Sequence, residues 1–311
     1  RQVTNTLSLE VAYVGSKGTH GFAGNGPNYN VNPNAVGPGT DLVVIDDPVA
    51  GTHKYAGFSA ATPQNNRRPL FPLIPFSLDN YYGNDASSTY NAFEVKVDKR
   101  FSQGLQFLSH YTYARAYNND NNYYAIDHKI SWGPVDFNRN HVFVFNTVYE
   151  LPFGKGKKFM GDAGRAMDYL VGGWQISNTT NWSSGLPWTP SYKNCGDEQD
   201  AGICRPNKTS GSFDVGVKGG FDPATHSITY FTPVPTMALP DPNTLPLGTD
   251  ACSLPRPESA PFSTPDCGVL GTVGRNTFHG PAGFYSDLSM VKKFRIFERL
   301  SAQFRMDAFN V

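Results

Sequence analysis

Four cysteines, seven histidines and a few charged or amide-rich clusters are the residues of this 311-residue sequence whose types can do chemistry. Cys195, Cys204, Cys252 and Cys267 share one long stretch without strand alternation, and none keeps the C-x₂-C spacing of a zinc site. An even count confined to a loop that meets an oxidising exterior reads as two disulfides. Cys195–Cys204 with Cys252–Cys267 is the sequence-local pairing, one of three connectivities open to four cysteines. His20, His53, His128, His226 and His279 fall in loop sequence, His110 and His141 in or beside strands, and no two keep a metal-ligand spacing. Asn118–Asn122 (NNDNN) offers oxygen atoms to calcium but lacks the spaced pattern and closing Glu of an EF-hand, so a solvated turn accounts for it. Gly154–Lys158 (GKGKK) lacks the four free positions and the Ser/Thr of a phosphate loop, and NWSSG lacks the G-x-S-x-G spacing of a nucleophile elbow. The three N-x-S/T sequons, at Asn178, Asn181 and Asn207, read as chance matches. No catalytic residue, metal site or cofactor emerges, and the chain is expected not to be an enzyme.

The chemistry therefore has to lie in surfaces, and the totals narrow which. Lys+Arg and Asp+Glu both number 26, which gives no basic face for nucleic acid. Hydrophobic residues make up 39%, below the usual proportion, while aromatics reach 14%. No apolar run is long enough for a membrane-crossing helix. A membrane β-barrel tolerates low hydropathy, because only alternate strand residues meet lipid. Thirty-one glycines and 24 prolines point to many turns and long loops. With no initiator Met and strand sequence at both ends, the chain reads as part of a longer protein.

The elements that would position these surfaces are strands. Tyr90–Tyr117 reads as a hairpin turning at Ser102-Gln103-Gly104. Phe93, Val95 and Val97 alternate with Glu94, Lys96, Asp98 and Arg100, so the apolar and charged sets take opposite faces. Four charges on one strand face are too polar for a sandwich core, and the strand length suits a tilted bilayer crossing. Further strands are expected at Thr4–Gly15, His141–Glu150, Trp174–Ser184, Phe284–Phe294 and from Arg299 onward, with a short one within Asp41–Asp47. At His141–Glu150 the second face, Val142, Val144 and Val148, is apolar too, which weakens the polar-lumen pattern locally. Loops of about seventy and ninety residues, 16–88 and 185–279, separate some strands; Leu151–Gly173 strains the alternation of short turns and long loops. The fold class is all-β: about seven strands of a larger antiparallel transmembrane barrel.

The stretches Thr89–Ala116, Asp136–Phe159, Val171–Ser191 and Val273–Val311, in this order and spacing, resemble the barrel of TonB-dependent receptors, most of all the Oar-like group. The resemblance covers somewhat under half the chain. It implies a 22-stranded outer-membrane barrel, a plug domain and energy from the TonB complex through an N-terminal region absent here. The plug, the TonB box, most strands and a terminal aromatic residue are missing from this sequence.

Within that frame Tyr111, Tyr113, Tyr149, Trp174 and Trp182 read as headgroup-level girdles against outer-membrane lipid. Glu94, Lys96, Asp98, Arg100, Asp287, Arg305 and Asp307 read as lumen-facing, either gripping a plug or simply solvated. Tyr81, Tyr82, Tyr123, Tyr124 and Trp188 are loop residues that could contact a solute. Three readings follow: a receptor importing a bulky solute (oligosaccharide, peptide or chelate), a structural or adhesion protein displaying long loops, and a soluble glycan-binding sandwich. A plug upstream separates the first from the second; apolar strand faces buried in a dry core would mark the third.

Overall fold

The computed structural model describes residues 2–21, 43–47, 49–56, 70, 72–74, 84, 86–119, 128–192, 204–209, 221–228, 239–256, 258–259, 261–266, 269–297 and 300–311. Tyr81, Tyr82, Tyr123, Tyr124, Cys195 and Cys267 lie outside them.

One antiparallel sheet dominates. Its main strands are β1 (Gln2–Thr4), β2 (Leu7–Gly21), β3 (Ala86–Ser102), β4 (Leu105–Asn118), β5 (His141–Glu150), β6 (Trp174–Ser183), β7 (Gly283–Phe297) and β8 (Leu300–Ala308), each hydrogen-bonded to the next in this order, and the two residues Gly133–Pro134 pair with the end of β4 as a ninth. The seven long strands are the seven expected ones. Among the described residues the sheet does not close: β1 and β8 are its two edges. The Ser102–Leu105 connection turns at Gln103 (φ 53°) and Gly104 (φ 81°), the doubly positive φ pattern whose twist matches a two-residue hairpin.

Register sorts the side chains into two faces, because directly paired residues project to the same side. Val11, Val95, Tyr111, Phe143, Trp182 and Phe284 form one continuous row across six strands. Neighbouring rows on that face carry Leu9 and Val97, Tyr13 with Phe93 and Tyr113, and Tyr149 with Ile176, Met290 and Met306. The other face carries Glu10–Lys96–His110 and Ser8–Asp98 in register. On β5, Val142, Val144 and Val148 interrupt that polar face, as their sequence implies. Side chains of the apolar rows stay open: Tyr13 is 70% exposed and Phe284 57%. Among the described residues no second sheet packs over this one, so the sandwich reading fails; a sandwich buries its inner faces.

The strand directions put every tight connection at one end. The connections 103–104, 151–173 and 298–299 begin and end there, while those at 22–85, 119–140 and 184–282 begin and end at the other. The Leu151–Gly173 connection thus obeys the alternation despite its length. It contains a short helix, α2 (Arg165–Val171); the other, α1 (His128–Ser131), lies in the opposite set of loops.

Strands β2 and β3 run past the expected boundaries, to Gly21 and from Ala86. Their extensions pair with each other through Lys17↔Thr89 and Gly18↔Ser88, where small and polar residues on both faces leave no periodicity to read. The described parts of the long loops include short paired strands. Residues Val43–Asp47 and Thr52–Ala56 form a hairpin inside the first, overlapping the short strand expected there. Val44 from that hairpin packs against Leu239 and Ala251 of the last loop, and its backbone exchanges hydrogen bonds with Thr249 (3.1 Å) and Gly248 (2.8 Å).

Candidate functional site

The best-built polar assembly lies at the long-loop end, where the 119–140 and 184–282 connections meet above β4, β5, β6 and β7. Arg275 is its hub, only 3% exposed. Its Nη1 donates to Asn118 Oδ1 at 2.6 Å, to the Asn118 carbonyl at 3.2 Å and to the Ser131 carbonyl at 3.4 Å. Its Nη2 lies 3.4 Å from Asp136 Oδ1. A buried guanidinium is stable only with such charge-assisted partners. The adjacent Asn276 adopts a positive φ (54°) that turns its side chain back toward the same carboxylate. Its Nδ2 donates to Asp136 Oδ1 (2.5 Å) and the Pro134 carbonyl (2.7 Å), and its backbone N–H donates to Thr189 Oγ1 (2.8 Å). Asp136 comes from the 119–140 connection, and Thr189 and Arg275-Asn276 come from the two ends of the 184–282 connection, so the network is a clasp between two loops.

Around it, Arg205 (2% exposed) donates to the Ile130 carbonyl at 3.0 Å and Arg139 to the Ser184 carbonyl at 2.7 Å. A small apolar core sits beside the clasp: Phe262, Val273 and Phe278 are buried, with Trp188 and Tyr192 packed on them. The Trp188 and Phe278 rings stand 5.4 Å apart, and the two residues pair as short strands. Two close backbone crossings finish the structure. A Cβ on Gly185 would lie 1.8 Å from the Gly280 carbonyl oxygen, and one on Gly271 1.9 Å from that of Arg205. Truncating the indole, Trp188→Ala, is expected to cost roughly 2–4 kcal/mol of loop-cap stability, seen as faster protease cleavage within 184–282 while the barrel keeps its gel mobility.

His279 adds a pH response. Burial holds its imidazole below the usual histidine value of 6.5. Its Nε2 lies 3.2 Å from Asn140 Nδ2, a contact the neutral ring can make as acceptor. The folded state takes up this proton at lower pH than the unfolded chain does, so the contribution is complete above 6.5 and lost as pH falls through the lowered value. Cleavage of the 184–282 loop is accordingly expected to be faster near pH ~5 than at pH ~7.5; in His279→Gln that difference should shrink.

The sequence-predicted residues fall elsewhere. Glu94, Lys96 and Asp98 on β3, Asp287 on β7, and Arg305 and Asp307 on β8 lie on the face opposite the apolar rows. Arg305 Nε and Asp307 Oδ1 pair at 2.8 Å. Arg100 sits in the register shift before Ser102, its N–H donating to the Thr6 carbonyl at 2.8 Å. Tyr111, Tyr113, His141 and Trp182 cluster on the apolar face near the long-loop end, with Tyr111 Oη 2.8 Å from His141 Nδ1. Tyr149 and Trp174 sit on that face at the tight-turn end. Neither Cys204 nor Cys252 is a free thiol, and their expected partners lie outside the described residues. Among the described residues no cluster of His, Cys, Asp or Glu has metal-ligand geometry. Sequence reasoning passed over the clasp. Its only trace was the pair of segments DFNRNH and VGRNTFHG, whose polar residues make no period.

An open antiparallel meander with one apolar and one largely polar face, and loops segregated by length to its two ends, is the wall of a membrane β-barrel. The chain belongs to the outer membrane beta barrel domain family, whose model matches residues 1–311. It is thus an outer-membrane protein, anchored by strands. No curated protein matches it, and no solved structure does.

Proposed function

We propose that the protein is a TonB-dependent outer-membrane receptor that imports a bulky solute (oligosaccharide, peptide or chelate). The observation that supports this reading best is the open sheet. Among the described residues the outer edges of β1 and β8 are left unpaired, which calls for further strands and hence a barrel wider than seven strands can enclose. The wide lumen would be lined by Glu94, Lys96, Asp98, Arg100, Asp287, Arg305 and Asp307 and filled by a plug that reaches the TonB complex. In the parent protein this wall would be part of a 22-stranded barrel, with the loops 22–85 and 184–282 outside the cell. The solute would meet those loops, Tyr81, Tyr82, Tyr123 and Tyr124 among their residues.

The test is uptake of fluorescently tagged oligosaccharides and oligopeptides by cells with and without the full-length protein. Import that needs the protein and stops when an ionophore collapses the proton gradient is the expected result. Import indifferent to the ionophore would overturn energy coupling. The display reading also has an observation behind it, the packing of the two long loops through Val44, Leu239 and Ala251; it predicts surface binding of a tagged probe without import.

Two disulfides, Cys195–Cys204 and Cys252–Cys267, belong to the same proposal. They would lower the conformational freedom of the longest loop by roughly 3 kcal/mol each. Peptide mapping without reductant should recover those two linked pairs; any other pairing would refute it.

A further inference from the structure

The Leu151–Gly173 connection is far longer than a turn between neighbouring strands requires, and its apolar side chains are left open. Phe153, Phe159, Met160, Met167, Tyr169 and Leu170 are each at least 40% exposed, Leu170 70%. No residue of α2 is buried. Yet the segment is tightly fastened. Asp168 Oδ1 accepts the Lys155 N–H at 2.6 Å, and Gly154 (φ 108°) brings the chain so close to Gly172 that a Cβ there would lie 2.7 Å from the Gly172 Cα. The Phe153 and Phe159 rings meet at a tilt, with centroids 5.5 Å apart.

The fastening to the wall shows on which side the segment lies. Lys292 shares its ladder with Trp174 and Phe304 and its strand face with Leu288 and Met290, so it belongs to the lipid side. Its ammonium donates to the Leu170 carbonyl (3.0 Å) and to the Gly172 carbonyl. It stands 4.9 Å from the Trp174 ring and 5.3 Å from that of Phe294. Trp174 Nε1 also donates to the Leu170 carbonyl, at 3.0 Å. The C-terminal end of α2 is therefore pinned to the outside of the wall at the tight-turn end, continuous with the lipid-facing rows. The segment carries four cations, Lys155, Lys157, Lys158 and Arg165, against two carboxylates, Asp162 and Asp168. Asp168 is engaged with the Lys155 backbone, and Lys157 reaches Glu150 at 3.2 Å.

We propose that this connection is a membrane-interface anchor that lays its apolar side chains into the periplasmic leaflet of the outer membrane and binds anionic phospholipid headgroups through Lys155, Lys158 and Arg165. Apolar side chains beside exposed cations at headgroup depth are the pattern of interfacial segments, and each basic residue near an anionic surface adds to the attraction. The inference rests on the barrel fold and does not depend on what the barrel transports.

The experiment places bimane at Leu170→Cys in the full-length protein, reconstituted in phosphatidylcholine vesicles with and without phosphatidylglycerol, some lipids carrying a spin label just below the headgroup. The parent protein treated with bimane serves as the labelling control, and heat-dependent gel mobility verifies the barrel in each sample. Strong quenching is expected, rising roughly twofold or more with phosphatidylglycerol. That rise should vanish in Lys155→Gln/Lys158→Gln/Arg165→Gln, which alters only exposed side chains. Quenching by aqueous iodide instead of lipid would overturn the anchor and leave the surface to a periplasmic protein. Lipid quenching indifferent to phosphatidylglycerol would overturn headgroup recognition.

Discussion

Replacing Arg275 by alanine is expected to open the loop-side clasp while the strands stay paired. The side chain satisfies the Asn118 and Ser131 carbonyls, Asn118 Oδ1 and Asp136 at once. Each charge-assisted bond contributes on the order of 1.5–3 kcal/mol, and such contributions overlap, so roughly 3–5 kcal/mol of cap stability should be lost. Asp136→Asn should be milder. The carboxylate is 66% exposed, and an amide oxygen still accepts from Asn276 and Arg275. Limited proteolysis gives the readout: rapid cleavage within 184–282 for the arginine variant, slower for the aspartate variant. Heat-dependent gel mobility should stay unchanged in both. Equal cleavage in parent and Arg275→Ala would show that the guanidinium does not hold the cap.

A larger effect is expected from one methyl group at Gly185. The added Cβ would sit 1.8 Å from the Gly280 carbonyl oxygen and 2.8 Å from that of Pro281, and backbone cannot swing aside as a flexible side chain can. The crossing must separate, breaking the Gly280 N–H to Leu186 carbonyl bond (2.8 Å) and splaying the Trp188–Phe278 pair next to it. A cost above the ~1–3 kcal/mol usual for overpacking follows. Gly164→Ala is the matched control: nothing lies within 4 Å of its Cβ position and its φ of −65° suits any residue. It should stay within about 0.5 kcal/mol of the parent. Urea unfolding in lipid vesicles, followed by tryptophan fluorescence, would rank the two.

What was legible followed from repetition. Phe93-Val95-Val97 against Glu94-Lys96-Asp98 declares both a strand and its two faces, because burial in lipid acts on every second residue. The same pressure acts on β4, β7 and β8, whose bounds were close to the true ones, and on the first part of β2. The signal faded where lipid stops. From Gly15 to Gly21 water bathes both faces, and the strand continues only because β3 pairs with it. The clasp was out of reach for another reason. Arg275 meets Asp136 across 139 residues, and nothing local to either announces the other. Gly185 and Gly280 reveal their importance only once the backbones cross.

The consecutive strand order also decides which seam of the wall is hardest to form. Joining β3 to β4 closes a two-residue turn, whereas joining β6 to β7 closes 99 residues, 184–282. For free chain that difference amounts to about 3 kcal/mol of entropy against the second seam. The Gly185–Gly280 crossing and the Trp188–Phe278 pair stand at the mouth of that seam, immediately beyond the Ser183↔Gly283 rung. They hold the two ends of that connection together beside the seam, so they act as the zip-fastener's slider for the pairing that closes the longest connection. Variants that loosen them should lengthen the assembly time of the barrel more than they lower its final stability.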